Sequence, residues 1–600
     1  MSADSYAKIA AVLSSIALIA GCGAGGASLA PPANAGTGNT PLPAGPGART
    51  TLDAAACAAL AGHSLGDGSA QQGLGKVATA VWTAGEKASN PAQSTPDHCL
   101  VEGTMNARTN GLDGSEGSAA TSGAAAYGID FRIRLPAAWN TKTFFEGIGG
   151  TAGSLNAARG DLRVAGAQDN ALMRGYAVVA TDTGHRTMPG TNGSFRFGFD
   201  PQARLEYGHL FLPIVANAFK TVVQAAYLQA PRRSYFIGSS GGGRQGMKAT
   251  QMYPDLFDAV AVVVPGFRVA SATIANMVMV QEQASISRTG VDAVTPDIAT
   301  AFSRAELNFA AGKILEQCDA LDGVADGMIF SPSRCAFDSQ RLLCSAANPA
   351  SGCFSQPKID VFKRIHDGIP QYSPWSFDPG LAADNGWPSH RLGAVNTVAG
   401  APNTANIAGQ MAGHLAFDLV IPPVEDPFAN PYLYMLNGDP AAAFAKLSAT
   451  STKFPHSAFS LMNADSPNLD KFAARKGRLL MVHGLADPYF SPADSTRYLD
   501  QLNKRYGAEA AADIVRLFLV PGMNHGTGGP TTDVYDTLQL IDNWVETGIA
   551  PNSYVAGVNP GNAALPANWS RSRTRLICAY PTEAHYRGGA IEQAASFECR

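Results

Sequence analysis

Apolar runs in the middle and last third of the chain predict buried strands. The runs at 258–266 ("DAVAVVVPG"), 477–488 ("GRLLMVHGLADP") and 514–526 ("IVRLFLVPGMNHG") each lead into glycine or polar residues typical of a loop. A shorter run, "SYFIG" at 234–238, is followed by apolar or small residues at helical intervals. Strands that alternate with helices in this way predict an α/β fold.

Two stretches match Gly-x-Ser-x-Gly, "GHSLG" around Ser64 and "GSSGG" around Ser240. With 63 glycines in the chain, a chance match is expected. A nucleophilic serine in this motif needs a buried strand before it and a helix after it. Ser64 follows a helix-like alanine-rich run and precedes turn residues, whereas Ser240 stands between a predicted strand and a predicted helix. We therefore predict that Ser240 is a nucleophile, the alternative being a plain glycine-rich turn.

A serine nucleophile needs a base, and the base needs an orienting carboxylate. In α/β-hydrolases the chain order is Ser, Asp, His, with the last two on loops after later strands. Asp487 and His525 occupy such loops, and we predict them to be the acid and the general base. His483, which precedes Asp487, is predicted to line the substrate pocket. Asp494 and Asp500 are weaker acid candidates because they fall in a helix-like stretch.

The oxyanion formed when the serine attacks needs two backbone N–H donors. The residue after the nucleophile, Gly241, is predicted to supply one at the start of the helix. The other is expected in a glycine-rich loop after an earlier strand, and "TFFEGIGGTAGS" at 143–154 fits this description. We assign the second donor to Gly150.

The N-terminus has the form of a targeting segment. Its apolar stretch at 9–22 is short for a membrane span and ends in small residues, and its last four residues are similar to a bacterial lipobox. We predict a signal peptide over 1–22 with lipidation at Cys22, which would make the protein an outer-membrane-anchored lipoprotein, periplasmic or extracellular. Ordinary secretion is the alternative. The Gly/Pro/Ala-rich stretch 23–50 is predicted to be a flexible linker.

Length and charge limit the possible partners. The 600 residues exceed one compact core, and the composition is 46% hydrophobic and 15% charged. A net charge of −4 without a basic run gives no indication of nucleic-acid binding. No further membrane-spanning stretch is predicted, and we expect a monomer that contacts a membrane only through the lipid anchor.

Cysteine usage agrees with export. Apart from Cys22 the chain has an even number of cysteines, although their pairing is not fixed by counting. Their clustering in sequence favours neighbour pairs, each stabilising by about 2–4 kcal/mol. Reduced cytosolic cysteines are the alternative, and a zinc site is disfavoured because no C-x-x-C pair occurs. The predicted disulfides are Cys57–Cys99, Cys318–Cys335, Cys344–Cys353 and Cys578–Cys599.

Taken together, these motifs resemble the tannase and feruloyl esterase family of α/β-hydrolases and, within it, a hydrolase of terephthalate monoesters. By this resemblance Ser240, Asp487 and His525 form the triad, Gly150 and Gly241 form the oxyanion hole, and the four neighbour disulfides correspond to those of the family. The matching stretches are "FFEGIGGTAGSL", "FGFDPQARLEYG", "SYFIGSSGGGRQGM", "CDALDGVADG", "HGLADPYFS" and "RLFLVPGMNHGTGGP".

The resemblance also implies a domain layout. Ser240 and Asp487 are 247 positions apart, more than the intervening strands and helices need, and family members place a lid domain there. We assign residues 268–455, here called the lid region, to this disulfide-rich insertion. The α/β-hydrolase core is then formed by 51–267 and 456–600.

The stretch "CDALDGVADGM" in the lid region is similar to a calcium loop of the family. Asp319, Asp322 and Asp326 place three carboxylates in one short glycine-containing turn, and hard oxygen ligands of this kind suit Ca²⁺. The carbonyls of Val324 and Met328 are expected to complete the shell of a structural ion. The spacing differs from an EF-hand, and an Asp/Gly turn without an ion is the alternative. No organic cofactor is expected.

The sequence departs from the family in two places. Family members usually carry a disulfide between the positions just before the nucleophile and just after the base, where this chain has Ser239 and Gly526. The hydrolase of terephthalate monoesters holds the free carboxylate of its substrate with a lid arginine, where this chain has Asn406. Arg391 is the nearest cation in sequence. Other predicted pocket residues nearby are Gln410, Met411 and His414.

These features predict a serine carboxylic ester hydrolase that cleaves small aromatic esters of the hydroxycinnamoyl, galloyl or terephthaloyl type through an acyl-enzyme. Activity on terephthalate monoesters is expected to be weak because the lid arginine is missing. A lipase or peptidase on the same fold is one alternative. A calcium-stabilised binding protein with a decayed site is another, although all five catalytic positions are chemically competent.

Overall fold

Ten strands form one mixed sheet through the middle of the protein. The computed structural model describes residues 47–111, 125–186, 197–289, 296–345, 352–384, 386–391 and 431–600. The predicted signal peptide, Cys22, most of the linker, and the pocket residues Asn406, Gln410, Met411 and His414 lie outside the described residues.

The strands of the large sheet run in the order β1-β2-β3-β4-β6-β5-β7-β8-β11-β12. In this spatial order, the neighbouring strands from β1 through β4 to β6 are antiparallel. The neighbouring strands from β6 through β5 to β12 are parallel. The strands of this sheet are β1 Ser64–Leu65, β2 Gly75–Thr83, β3 His98–Gly111, β4 Ala125–Pro136, β5 Lys142–Gly147, β6 Ala177–Thr181, β7 Arg233–Ser239, β8 Ala259–Val263, β11 Arg478–Gly484 and β12 Val515–Val520.

The sequence patterns place the parallel strands correctly. Each of the four predicted apolar runs coincides with one strand, and β8 is buried at every position, as expected for a strand covered on both faces. In the described part of the chain, three small antiparallel pairs lie outside the large sheet. They are β9 Arg288–Thr289 with β10 Pro296–Asp297, β13 Ser553–Gly557 with β14 Thr574–Cys578, and β15 Ala584–Tyr586 with β16 Phe597–Cys599.

Helices follow most of the parallel strands, and several begin at residues that cap them. Asp53, Asp200, Ser303, Asp439 and Asp536, for example, each accept a hydrogen bond from a first-turn N–H group. The helices are α1 Ala54–Ala58, α2 Pro201–Leu205, α3 Phe211–Tyr227, α4 Gly241–Met252, α5 Val269–Ala284, α6 Arg304–Cys318, α7 Gln356–Asp367, α8 Trp387–His390, α9 Pro431–Asn437, α10 Pro440–Lys446, α11 Ala458–Met462, α12 Asp470–Ala474, α13 Pro492–Tyr506, α14 Ala508–Ile514 and α15 Thr537–Thr547.

Between α2 and α3, Glu206–Leu210 form a π-helical turn, so that Pro201–Tyr227 is one continuous helical segment. Within the described ranges it alone is long and apolar enough to pass as a membrane span, but 67% of its most apolar window is buried inside the protein. Such burial is typical of a core helix.

The four disulfides predicted from neighbouring cysteines are confirmed. Cys57–Cys99 joins α1 to β3, and Cys578–Cys599 joins β14 to β16. Cys318–Cys335 and Cys344–Cys353 lie in the lid region. Four disulfides indicate a protein that folds in an oxidising compartment.

Candidate active site

Ser240 stands on a sharp turn between β7 and α4. Its backbone has φ 58° and ψ −118°, a conformation that is unfavourable for a residue with a side chain. The turn is held by the next strand, because the N–H of Ser240 donates to the carbonyl of Val263 (2.9 Å) and the N–H of Gly266 donates to the carbonyl of Ser240 (3.1 Å). A strained strand-to-helix turn of this kind can expose a side chain above a parallel sheet, as the predicted role of Ser240 requires.

Glycines around Ser240 permit close contact with the loop after β5. A Cβ added at Gly241 would lie 2.7 Å from the carbonyl oxygen of Gly150, and one added at Gly242 would lie 2.7 Å from the carbonyl carbon of Gly147. A Cβ at Gly149 would be 3.8 Å from the Cβ of Ser240. Residues 147–150, here called the oxyanion loop, therefore lie directly against the turn that carries Ser240, here called the nucleophile turn. The assignment of Gly150 and Gly241 requires this proximity.

Gln245 holds the oxyanion loop from the first turns of α4. Its amide oxygen accepts from the N–H of Ile148 (3.1 Å) and its amide nitrogen donates to the carbonyl of Ile148 (3.0 Å). The side chain is buried, so both hydrogen bonds are shielded from water. Sequence reasoning missed this contact, because a glutamine on a helix gives no local indication of which loop it meets.

Buried Asp487 and partly exposed His525 form a pair on the loops after β11 and β12. Nδ1 of His525 lies 3.0 Å from both carboxylate oxygens of Asp487. The N–H groups of Tyr489 (2.8 Å) and Phe490 (3.2 Å) donate to the same carboxylate. Burial by itself would raise the pKa of Asp487, but the charge of His525 and the hydrogen bonds from His483 and His525 outweigh it and lower that pKa to about 2.

The loop that carries His525 reaches the nucleophile turn through β8. A Cβ at Gly526 would lie 3.5 Å from a side-chain methyl of Val264 and 3.6 Å from one of Val263, whose carbonyl accepts from Ser240. Because β7, β8, β11 and β12 are parallel neighbours, their carboxyl ends lie along one edge of the sheet. The serine turn, the acid and the base are brought to that edge together.

Histidine 483 does not line a pocket, and the prediction for it is wrong. The side chain is fully buried, with Nδ1 2.8 Å from the hydroxyl of Ser495 and Nε2 3.2 Å from the carbonyl of Phe490. Nε2 also lies 3.3 Å from a carboxylate oxygen of Asp487. His483 thus contacts the carboxylate of Asp487 from within the protein core. The sequence pattern placed it at the correct end of β11 but could not give its direction.

Three other residues considered in the sequence analysis lie apart from the proposed triad or are engaged by other side chains. Ser64 lies in the two-residue strand β1, which pairs with β2 at the far edge of the sheet. Asp494, in the first turn of α13, forms an ion pair with Arg268 at 2.7 Å. Arg391 is 1% exposed and packs against Trp375 with 3.6 Å between its guanidinium carbon and the ring centroid, so it is not open to a substrate carboxylate.

The acidic loop of the lid region has the donor chemistry for calcium but not a shared ligand set. Asp322 is buried, and burial together with the negative charges of Asp326 and Asp319 raises its pKa to about 7. The oxygens of Asp319 accept from the N–H groups of Asp326 and Gly327, and Asp326 pairs with Arg575. Throughout the described ranges, no three acidic, histidine or cysteine side chains are arranged to share one ion.

Known proteins are similar to this chain over most of its length. The family model "Tannase and feruloyl esterase" matches residues 115–600. The chain is 36% identical over 556 residues to the mono(2-hydroxyethyl) terephthalate hydrolase of Piscinibacter sakaiensis, covering 87% of this chain and 88% of that protein.

Two solved structures share the fold. An esterase from Aspergillus oryzae has a TM-score of 0.66 at 19% identity and covers 91% of this chain and 100% of its own. Feruloyl esterase B from Aspergillus oryzae has a TM-score of 0.65 at 20% identity, covering 88% of this chain and 97% of its own. The predicted α/β-hydrolase fold is confirmed. The chain is a carboxylic ester hydrolase and belongs to the tannase and feruloyl esterase family.

Proposed function

We propose that this hydrolase cleaves small aromatic esters through a covalent acyl-enzyme on Ser240. The observation that carries the proposal is the contact of His525 with both oxygens of a buried Asp487, at the sheet edge where Ser240 is held in a strained turn. A strained serine turn and a histidine fixed by a carboxylate on adjacent parallel strands suit nucleophilic acyl transfer.

In the proposed mechanism, His525 takes the proton of the Ser240 hydroxyl as its oxygen attacks the ester carbonyl. The N–H groups of Gly150 and Gly241 stabilise the oxyanion of the tetrahedral intermediate. His525 then protonates the leaving alcohol, and a water molecule repeats the sequence and releases the acid. Asp487, ionised because its pKa is about 2, keeps the imidazole in the tautomer that presents its other nitrogen to Ser240.

The substrate class is proposed from the relatives and from one feature of the lid region. Relatives are named for feruloyl and terephthaloyl esters, which share an aromatic acyl group. Arg391 is buried against Trp375 and is not open to a substrate carboxylate. We therefore expect neutral or phenolic aromatic esters to be preferred over the charged terephthalate monoester.

A panel of methyl gallate, methyl ferulate, methyl benzoate and mono(2-hydroxyethyl) terephthalate, assayed with purified mature protein, tests this proposal. We expect the uncharged esters to give the higher kcat/KM, and a long-chain triglyceride to give little turnover. Ser240→Ala should lower kcat by several orders of magnitude, and a fluorophosphonate probe should label the wild type but not this variant. Undiminished hydrolysis by the variant would refute the nucleophile, and labelling of the wild type would exclude a decayed binding protein.

Export and calcium binding are further parts of the proposal. The disulfides support an oxidising location, and lipidation of Cys22 is testable by mass spectrometry of the mature N-terminus.

A structural Ca²⁺ held by Asp319, Asp322 and loop carbonyls would offset the negative charge buried there. Removal of calcium by a chelator should lower the melting temperature, and refilling with Ca²⁺ should restore it. Asp322→Asn should remove the calcium response, whereas an identical response in that variant would place the ion elsewhere.

A further inference from the structure

We propose that Trp387 and Arg391 form a clamp that positions the catalytic acid. The clamp holds the loop of residues 485–491, here called the acid loop, and acts on catalysis through Asp487. This inference rests on the triad of the proposed function. Both clamp residues come from the lid region, about a hundred positions before the acid loop in the chain.

The clamp grips the main chain on both sides of Asp487. The indole N–H of Trp387 donates to the carbonyl of Ala486 at 3.0 Å. Nη1 of Arg391 donates to the carbonyl of Pro488 at 3.3 Å. These are the two carbonyls that flank Asp487 in sequence. The Ala486 carbonyl belongs to the peptide plane directly before Asp487, and the Pro488 carbonyl belongs to the second peptide plane after it. Since the ring of Pro488 fixes its own φ, the two bonds together restrain the main chain at Asp487 and the direction in which its side chain leaves the backbone.

The guanidinium of Arg391 is itself held rigidly. It stacks on the ring of Trp375, and its nitrogens also donate to the amide oxygen of Asn276 (3.2 Å) and the carbonyl of Ile365 (3.3 Å). Gln283 donates to the carbonyl of Arg391 at 3.1 Å, which fixes its main chain as well. A cation buried among aromatic rings and hydrogen-bonded on several sides has little freedom to move.

The same segment of the lid region also contacts the loop of the base. A carboxylate oxygen of Asp378 accepts from the N–H of Gly522, three positions before His525, at 3.1 Å. The acid loop joins the base loop directly, because the N–H of Ala486 donates to the carbonyl of Met523 at 3.1 Å. Positions 239 and 526 hold serine and glycine, so no disulfide joins the turn of Ser240 to the base loop at these positions. The lid region therefore adds non-covalent contacts to both the acid loop and the base loop.

A double-mutant cycle separates a positioning role from a general structural one. Trp387→Phe keeps an aromatic ring but removes the N–H donor, and Arg391→Met keeps the length of the side chain but removes charge and donors. Initial rates with p-nitrophenyl acetate are measured for each variant alone and combined with Asp487→Ala. With Asp487 present, we expect kcat to fall about 10-fold with KM within about 2-fold of wild type, since small misplacements of a catalytic group are costly.

With Asp487→Ala as background, either clamp variant should change kcat by less than about 2-fold, because a positioning residue has no effect once the group that it positions is gone. Trp544→Phe is the matched control. This buried tryptophan of α15 packs near Arg478 and Arg516, at the amino ends of β11 and β12 and away from the triad. It should leave kcat unchanged in both backgrounds. Melting temperatures are recorded for all variants, and only folded protein is assayed.

Equal losses of kcat in both backgrounds would mean that the clamp is merely structural and would overturn the inference. Unchanged kcat in Trp387→Phe and Arg391→Met would overturn it as well. A failure of the proposed function is distinguishable: Asp487→Ala alone would then retain the wild-type rate. Because p-nitrophenyl acetate is a small activated ester, the outcome does not depend on which aromatic ester the protein prefers.

Discussion

Replacement of Gly241 by alanine tests the oxyanion hole with a single methyl group. The Cβ of alanine would lie 2.7 Å from the carbonyl oxygen of Gly150, whereas an ordinary van der Waals contact begins at 3.4 Å. The main chain at Gly241 has an ordinary helical start without a positive φ, so alanine adds no backbone strain. The clash must therefore be relieved by a movement of about 0.7 Å between the oxyanion loop and the nucleophile turn.

The size of this movement sets the expected loss of activity. Misplacement of a catalytic group by about 1 Å costs about 100-fold in rate, and loss of one oxyanion donor costs about 100- to 1,000-fold. A shift of 0.7 Å that weakens but does not remove the donors should lower kcat by about 10- to 100-fold, or about 1.4–2.7 kcal/mol in the barrier. KM should change less, because the donors act mainly on the transition state.

The assay compares kcat and KM for methyl ferulate and p-nitrophenyl acetate in Gly241→Ala and in a control, Gly312→Ala. Gly312 lies within α6, where an added Cβ meets nothing within 4 Å. Alanine there should stabilise the helix by about 0.5–1 kcal/mol and leave kcat unchanged. Full kcat in a folded Gly241→Ala protein would refute the placement of the oxyanion hole between Gly150 and Gly241.

Three other substitutions test neighbouring features. Gln245→Met should lower kcat about 10-fold and destabilise the fold by about 1–3 kcal/mol, because the buried main-chain N–H and carbonyl of Ile148 both lose their hydrogen-bond partner. A wild-type kcat would contradict a role for Gln245 in holding the oxyanion loop. The double variant Ser239→Cys with Gly526→Cys should raise the melting temperature once the disulfide has formed, with the gain of about 2–4 kcal/mol partly offset by the φ of +86° at position 526. An unchanged melting temperature in protein shown by thiol titration to carry the disulfide would contradict this prediction. Folding lowers the pKa of Asp487 from 3.8 to about 2, so the stability that this carboxylate contributes is present above pH 4 and is lost as the pH falls from 4 to 2. In urea unfolding, the free energy of unfolding of Asp487→Asn should therefore fall less steeply over this interval than that of the wild type. Parallel pH dependences would contradict the shift.

The sequence predicted the features that depend on local pattern. Four apolar runs gave four parallel strands, and the strand-turn-helix context separated Ser240 from Ser64. Neighbouring cysteines gave the disulfides because short loops close readily. Chain order also led to Asp487 and His525, which lie in contact, since parallel strands deliver their following loops to one sheet edge. Their role with Ser240 stays a prediction.

Side-chain direction was not predictable in the same way. His483 lies at the expected end of β11 but points behind Asp487, and Arg391 points into a cluster of tryptophans. Gln245 and Trp387 act on loops that are remote from them in sequence. Such contacts depend on how separate elements pack against each other. A single sequence contains no periodicity or motif that indicates this packing.

The contacts between the lid region and the acid loop bear on any attempt to exchange lids between relatives in order to alter their range of esters. A transplanted lid region that lacks an indole donor at 387 and a cation at 391 would change the residues around the substrate. It would also remove the two hydrogen bonds that hold the acid loop. Chimeras of this kind should keep residues 375–391 of the recipient and exchange the remainder.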